Sequence, residues 1–233
     1  MPESLFLFFA SLSDFFHEFG GLLLEGTRDT LIMTGISTLF AYLIGLPLGV
    51  LLNITQPHGI WPHRKLNAVV GWIVNVGRSI PFIILMISIV GFTKLIMGTI
   101  IGVRGAIVPL VVSAAPFIAR MVESSLSEVD SGVVEAAQSM GASTFQIIRK
   151  VYLPEAKPSL ILGASISIIT ILSYTAIAGA IGAGGLGDLA IRYGYNRKIF
   201  SMSLATVILI IILVQIIQSV FSWLSTKMDK RLR

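Results

Sequence analysis

The chain has no cysteine in its 233 residues. That excludes a disulfide framework, a thiolate nucleophile and any cysteine-ligated metal site. Charge is also scarce. Only 12% of residues are Asp, Glu, Lys or Arg, against about 25% in an ordinary soluble domain. With 55% hydrophobic residues and a mean hydropathy of +0.88, this chain belongs in a bilayer. The three histidines, His17, His58 and His63, form no metal-ligand pattern; His58 and His63 sit in a proline-containing turn. No G-x-x-x-x-G-K-[ST] segment occurs, so the chain carries no phosphate-binding loop of its own. The long apolar runs contain no carboxylate, which argues against a proton relay and against paired acid–base chemistry inside the membrane.

What remains is a set of apolar runs bounded by charge. They predict an all-α membrane protein with five transmembrane helices, near 30–54, 67–92, 103–122, 158–181 and 199–225. The second run includes Arg78. The third carries Pro109 and Pro116, which a membrane helix tolerates when neighbours satisfy the freed carbonyls. Five spans put the termini on opposite sides. Arg64, Lys65, Arg120, Arg149, Lys150, Lys157, Lys227, Lys230, Arg231 and Arg233 fall on one side. Arg28, Lys94, Arg104, Arg192, Arg197 and Lys198 fall on the other. Ten against six places the 120–157 loop and the C-terminus in the cytoplasm and the N-terminus outside. The same rule accounts for the net charge of +5 and the pI near 9.7 without nucleic acid.

Residues 1–26 read as an extracytoplasmic, interfacial segment, and 27–233 as the membrane domain. The segment has no basic start and no small-residue cleavage site, so it does not read as a signal peptide. Phe6, Phe9, Phe15, Phe16 and Phe19 would anchor it to the outer surface. A sixth span there is the alternative. No repeat at a fixed period is evident.

Charge clusters in the 123–157 loop, at Glu123, Glu128, Asp130, Glu135, Arg149, Lys150, Glu155 and Lys157. Asp130 or Ser131 can cap a helix, with Val133, Val134, Ala137 and Met140 on one face. Gly141 suits a left-handed stop. Ser143 and Gln146 form a capping-box pattern opening a second short helix, with an apolar stripe of Phe145, Ile148, Val151 and Tyr152. Leu153-Pro154 should end it. Periodicity alone leaves two readings level: a docking surface, or an ordinary amphipathic loop.

The residues of this loop shift that balance. Glu135-Ala136-Ala137, then Gly141, then Val151-x-Leu153-Pro154 resembles the EAA loop of ABC importer permeases, with Val where the pattern has Ile. Arg78 to Phe82, Val108 to Leu110, Ala114 to Arg120 and Gly182 to Gly187 are similar to the methionine importer permeases; the likeness begins near Thr27. The resemblance implies a type I ABC importer fold in the bacterial cytoplasmic membrane. It implies a coupling helix, through Glu135, Ala136, Ala137, Ser139, Met140, Gly141, Ala142, Leu153 and Pro154, that docks on a cytoplasmic ABC ATPase dimer. It further implies a second copy of the permease and an extracytoplasmic substrate-binding lipoprotein. No cofactor is implied for this chain, since ATP would be bound by the partner. Permeases for other amino acids, osmolytes and phosphonates share the EAA loop. A self-powered carrier or a channel is the contrasting reading, and it calls for mid-membrane ionisable groups or inverted repeats.

Three further features stand outside that loop. Gly182, Gly184 and Gly187 have dinucleotide-loop spacing, but a membrane helix precedes them in place of a strand. Arg78 can snorkel, pair with a carboxylate near the EAA loop, or serve transport. Tyr174, Thr175, Ile177 and Gly179 are candidates for the pore or gate, and equally for tight helix packing.

Overall fold

A computed structural model describes residues 2–229, and their side chains apart from those of residues 2–13 and Phe16. Helices joined by turns and short links account for the described residues, and no strand occurs among them. Three helices have the lengths that their apolar runs call for: α5 (Gly102–Ser127), α9 (Lys157–Ala178) and α11 (Phe200–Met228). Each is long and apolar enough to cross a bilayer, and so is α1 (Pro2–Ile54). Pro109 and Pro116 lie inside α5 without breaking it.

Two stretches differ in geometry from the sequence reading. The first concerns the N-terminal segment. Helix α1 runs unbroken from Pro2 to Ile54, so no hinge separates residues 2–26 from the first span. Phe6, Phe9 and Phe16 lie outside the described side chains. Phe15 and Phe19 do not stand free: they pack with Leu23, Leu189 and Met202, and the Phe19 ring meets Tyr193 edge-on at 6.1 Å. The second concerns residues 67–92. The run is not one continuous helix but α2 (Arg64–Ser79), α3 (Phe82–Ser88) and α4 (Val90–Met97); α2 and α3 meet at 100° and together are long and apolar enough to be the fifth span, as a broken one. Pro81 is the cause. The residue before a proline is driven out of the α region, and Ile80 is extended, with φ −86° and ψ 121°.

Helix α5 is the axis of the bundle. Its 26 residues include fifteen buried ones, and α1, α2, α3, α4 and α9 all pack on it. Helix α1 comes closest. Gly45 and Gly49 repeat a G-x-x-x-G spacing, and both face α5. A Cβ on Gly45 would lie 2.8 Å from the Ala115 oxygen, and one on Gly49 would lie 2.5 Å from the Ala119 oxygen. Ala41, one turn earlier, is fully buried on the same row. Helix α9 packs beside α5 and α1, and α11 packs on α9. After α9 come a π turn over Gly179–Ala183 and α10 (Gly185–Leu189), then a second π turn over Ala190–Tyr195. Gly182, Gly184 and Gly185 have φ of +94°, +83° and +79°, and they make the break between α9 and α10. Thr30 Oγ1 of α1 accepts a hydrogen bond from Leu186 N at 2.9 Å and pins this corner to the bundle.

Candidate functional site

Between α5 and α9 lies a compact chain of short elements: α6 (Ser131–Ser139), α7 (Thr144–Ile147), a π turn (Ile148–Tyr152) and α8 (Leu153–Glu155). Each boundary has a chemical cause. Asp130 Oδ1 accepts from Gly132 N at 2.7 Å and caps α6. At the other end Gly141 N donates to Gln138 O at 2.9 Å and Ala142 N donates to Ala137 O at 3.1 Å. That pair is a Schellman stop, and Gly141 takes the left-handed φ of +78° that it requires. Open space surrounds the position a Gly141 Cβ would take, so the constraint is conformational and not steric. Ser143 and Gln146 then form both halves of a capping box: Gln146 N donates to Ser143 Oγ at 3.4 Å, and Ser143 N donates to Gln146 Oε1 at 2.8 Å.

Leu153-Pro154 does not end the second helix. Leu153 is helical, at φ −64° and ψ −41°, and the chain passes through α8 almost directly into α9. The π turn makes this possible. Its wider register lets Leu153 N donate to Ile148 O. Pro154 sits in the first turn of α8, where a missing N–H costs least.

The faces also differ from the expected ones. Val134, Ala137, Ile147 and Tyr152 are buried, packed into the core that holds Ile54 and Leu126. Val133, Met140 and Phe145 point away, and Met140 and Phe145 are 81% and 69% exposed. Glu135, Ala136, Ser139, Gly141 and Pro154 are exposed beside them, and Ala142 and Leu153 are half-buried. A nine-residue helix lying on a bundle end touches it along one narrow line. Val134 and Ala137 lie on that line, and Val133 and Met140 fall on its flank. Burial also raises the pKa of the Tyr152 hydroxyl, which keeps it neutral.

Beneath α6, Glu135 and Gln138 share a cleft of about 230 Å³ with Asn53, Gln56, Ser127 and Tyr152. Asn53, Gln56 and Ser127 in its lining belong to a polar network that the sequence reading missed. Arg120 of α5 pairs with Glu123, and its Nη2 donates to Asn75 Oδ1 at 2.9 Å and to Gly71 O at 3.3 Å on α2. Gln56 Nε2 donates to Glu123 Oε1 at 3.0 Å, and Asn53 Nδ2 donates to Ser127 Oγ at 3.0 Å. Asn67 Nδ2 reaches back to Leu52 O at 2.8 Å. The ends of α1, α2 and α5 are thereby tied by charge-assisted and neutral hydrogen bonds. Arg78, the arginine singled out in the sequence, is exposed and makes no ion pair among the described residues. The available signal was the recurrence of Asn, Gln, Arg and Glu at the same end of three apolar runs.

The four pore candidates are not brought together. Thr175 is buried and its Oγ1 donates to Leu172 O at 2.6 Å. Gly179 is buried too, and a Cβ there would meet Asp188 N at 2.5 Å. Both serve packing in this structure. The Tyr174 ring is half-buried and stacks on Phe82, centroids 4.8 Å apart and planes within 3°. Ile177 is exposed. So Ile177 and one side of Tyr174 reach a surface from this set.

Residues 45–233 match the family model described as binding-protein-dependent transport system inner membrane component. A probable D-methionine transport system permease protein, MetI, of Vibrio cholerae is 48% identical over 223 residues, which is 96% of this chain and 99% of the relative. The methionine import system permease protein MetP of Bacillus subtilis is 47% identical over 207 residues, 89% of this chain and 93% of the relative. A solved structure described as an inward-facing conformation of the MetNI methionine ABC transporter superposes with a TM-score of 0.90. It is 46% identical and covers 91% of this chain and 99% of that one. An amino acid ABC transporter at 19% identity and a TM-score of 0.74 shares the fold. By sequence and by fold, this chain belongs to the binding-protein-dependent transport system inner membrane components, the membrane permease subunits of ABC importers.

Proposed function

We propose that two copies of this chain form the translocation path of an ATP-driven importer for methionine. The ATP is bound and hydrolysed by a cytoplasmic ATPase dimer that docks on α6 and α7, and an extracytoplasmic binding protein delivers the substrate. This chain needs no cofactor of its own. The observation that carries the reading is the outward row of Val133, Met140 and Phe145 beside Glu135, Ala136 and Gly141. Three large apolar side chains exposed on a tightly capped, well-packed loop are a surface awaiting a partner. Methionine is supported by relatives near 47% identity whose names carry it. In this arrangement the α6 end of the bundle is cytoplasmic and the start of α1 is outside.

The test is reconstitution. Permease, ATPase and binding protein in proteoliposomes should take up labelled methionine with ATP. Uptake of a different amino acid, an osmolyte or a phosphonate, with none of methionine, would retire the substrate and leave the importer. Orientation is read with a membrane-impermeant thiol reagent on Ser4→Cys in this cysteine-free chain. Labelling from the cytoplasmic side alone would reverse the placement of the N-terminus.

A further inference from the structure

Helix α11 packs on α9, where Ser225 Oγ donates to Pro158 O at 2.9 Å, and its buried residues Met202, Thr206 and Ser225 mark its inward face. The opposite row, at helical spacing, changes character along its length. In the first half it is apolar: Leu204, Ile208 and Ile211, all about half exposed. In the second half it is polar: Gln215, Gln218, Ser219 and Ser222, all exposed. The other amides at the ends of the membrane helices are used. Asn53, Gln56 and Asn67 each donate a hydrogen bond, and Asn75 accepts one. Gln215 and Gln218 have no hydrogen-bond partner among the described residues.

Depth makes this informative. Lys227 stacks over Trp223 at 4.9 Å, a pairing that suits the membrane–water boundary. Gln215 lies eight residues before Trp223, about 12 Å further in at 1.5 Å per residue, in a hydrocarbon layer about 30 Å thick. A side-chain amide at that depth cannot face lipid without losing its hydrogen bonds. Water or protein must therefore lie against this row. Water accounts for its one-sided distribution. Past Ser201 in the first turn, polarity on this row is confined to the half nearer the cytoplasm, the half that opens to solvent in an inward-facing transporter, and the solved structure on which this chain superposes at 0.90 is described as inward facing. A dry seam would need a partner for each amide and hydroxyl, and it would not explain why the first half of the same row is apolar.

We infer that Gln215, Gln218, Ser219 and Ser222 line the cytoplasmic half of the translocation path, where their uncharged groups hydrogen-bond a passing zwitterion. An amide offers donors to a carboxylate and an acceptor to an ammonium, without a charge that would trap either end. The inference rests on the proposed function for the identity of the zwitterion and for the side called cytoplasmic.

Single cysteines in the assembled transporter test it. Gln218→Cys, Ser219→Cys and Ser222→Cys should react with an impermeant thiol reagent from the cytoplasmic side at least an order of magnitude faster than Ile216→Cys and Val220→Cys. Those two controls lie at the same depth, are also exposed, and point away from the row. Thiols in hydrocarbon stay protonated and unreactive. Equal rates across all five, or no reaction at the row, would overturn the inference. So would disulfides between copies without labelling, which would mark a dry seam. Gln218→Leu should lower methionine uptake several-fold with the complex intact, and Gln218→Asn should restore most of it. Labelling needs no substrate. A row that labels as expected in a transporter that refuses methionine retires the substrate alone.

Discussion

Two glycines of α1 should answer the same substitution in opposite directions. Gly35 and Gly49 are both mid-helix, and alanine is favoured over glycine there by about 1 kcal/mol. At Gly35 nothing lies within 4 Å of the added Cβ. At Gly49 the Cβ would sit 2.5 Å from the Ala119 oxygen and 2.6 Å from Val122 Cβ. Carbon atoms in good contact are about 3.5–4.0 Å apart, so α1 and α5 must separate by roughly 1 Å along their closest stretch. Forcing a methyl into a packed interface costs about 1–3 kcal/mol. Gly35→Ala should therefore be neutral or stabilising. Gly49→Ala should fall below it by about 1–3 kcal/mol, since the helix-propensity term is common to both. Denaturation in mixed micelles, followed by helicity against SDS fraction, measures both variants against the parent chain. Equal midpoints for the two variants, or a lower one for Gly35→Ala, would refute the claim that α1 and α5 are held by close backbone approach at this row.

Other expectations follow from the loop and the polar network beside it. Gly141→Val places a β-branched residue at φ +78°, a cost of at least about 1–2 kcal/mol. It should weaken ATPase co-purification and uptake while membrane insertion persists, and Gly141→Asn should be milder. Met140→Ala combined with Phe145→Ala removes exposed side chains only, so permease stability should hold while ATPase binding falls; unchanged pull-down would count against docking there. Arg120→Leu strips Glu123 of its ion partner and should cost about 1–3 kcal/mol. Glu123→Leu added to it should cost less than the sum, as measured by a double-mutant cycle. Ile177→Trp should slow methionine uptake while leaving ATPase assembly intact, and an unchanged rate would take Ile177 out of the path.

The elements legible from sequence are those set by local chemistry. Apolar runs bounded by charge located α5, α9 and α11, prolines notwithstanding. The capped start of α6, the left-handed Gly141 and the Ser143–Gln146 box each need only a few neighbouring residues, and each is present. The misses belong to longer range. Ile80-Pro81 could be read as a perturbation of a helix, but the 100° turn it permits is a matter of where α3 can pack on α5 and α9. The Leu153-Pro154 stop was overridden by a π turn five residues long. The Arg120 network needs three helix ends to converge before any of its residues has a partner.

The faces of α6 and α7 expose a deeper limit. Periodicity groups Val133, Val134, Ala137 and Met140 as one apolar side, on the assumption that apolar residues turn toward their own core. In this chain the side is divided. Val134 and Ala137 take the core, and Val133 and Met140 are left with Phe145 on the outside. Hydrophobicity in a sequence records that water will be excluded from a side chain, and not which chain will exclude it. Where one short helix serves an internal contact and an external one at adjacent angles, only the fold can separate the two sets. The set left uncovered is then the more informative about function, because nothing in the permease's own packing accounts for it.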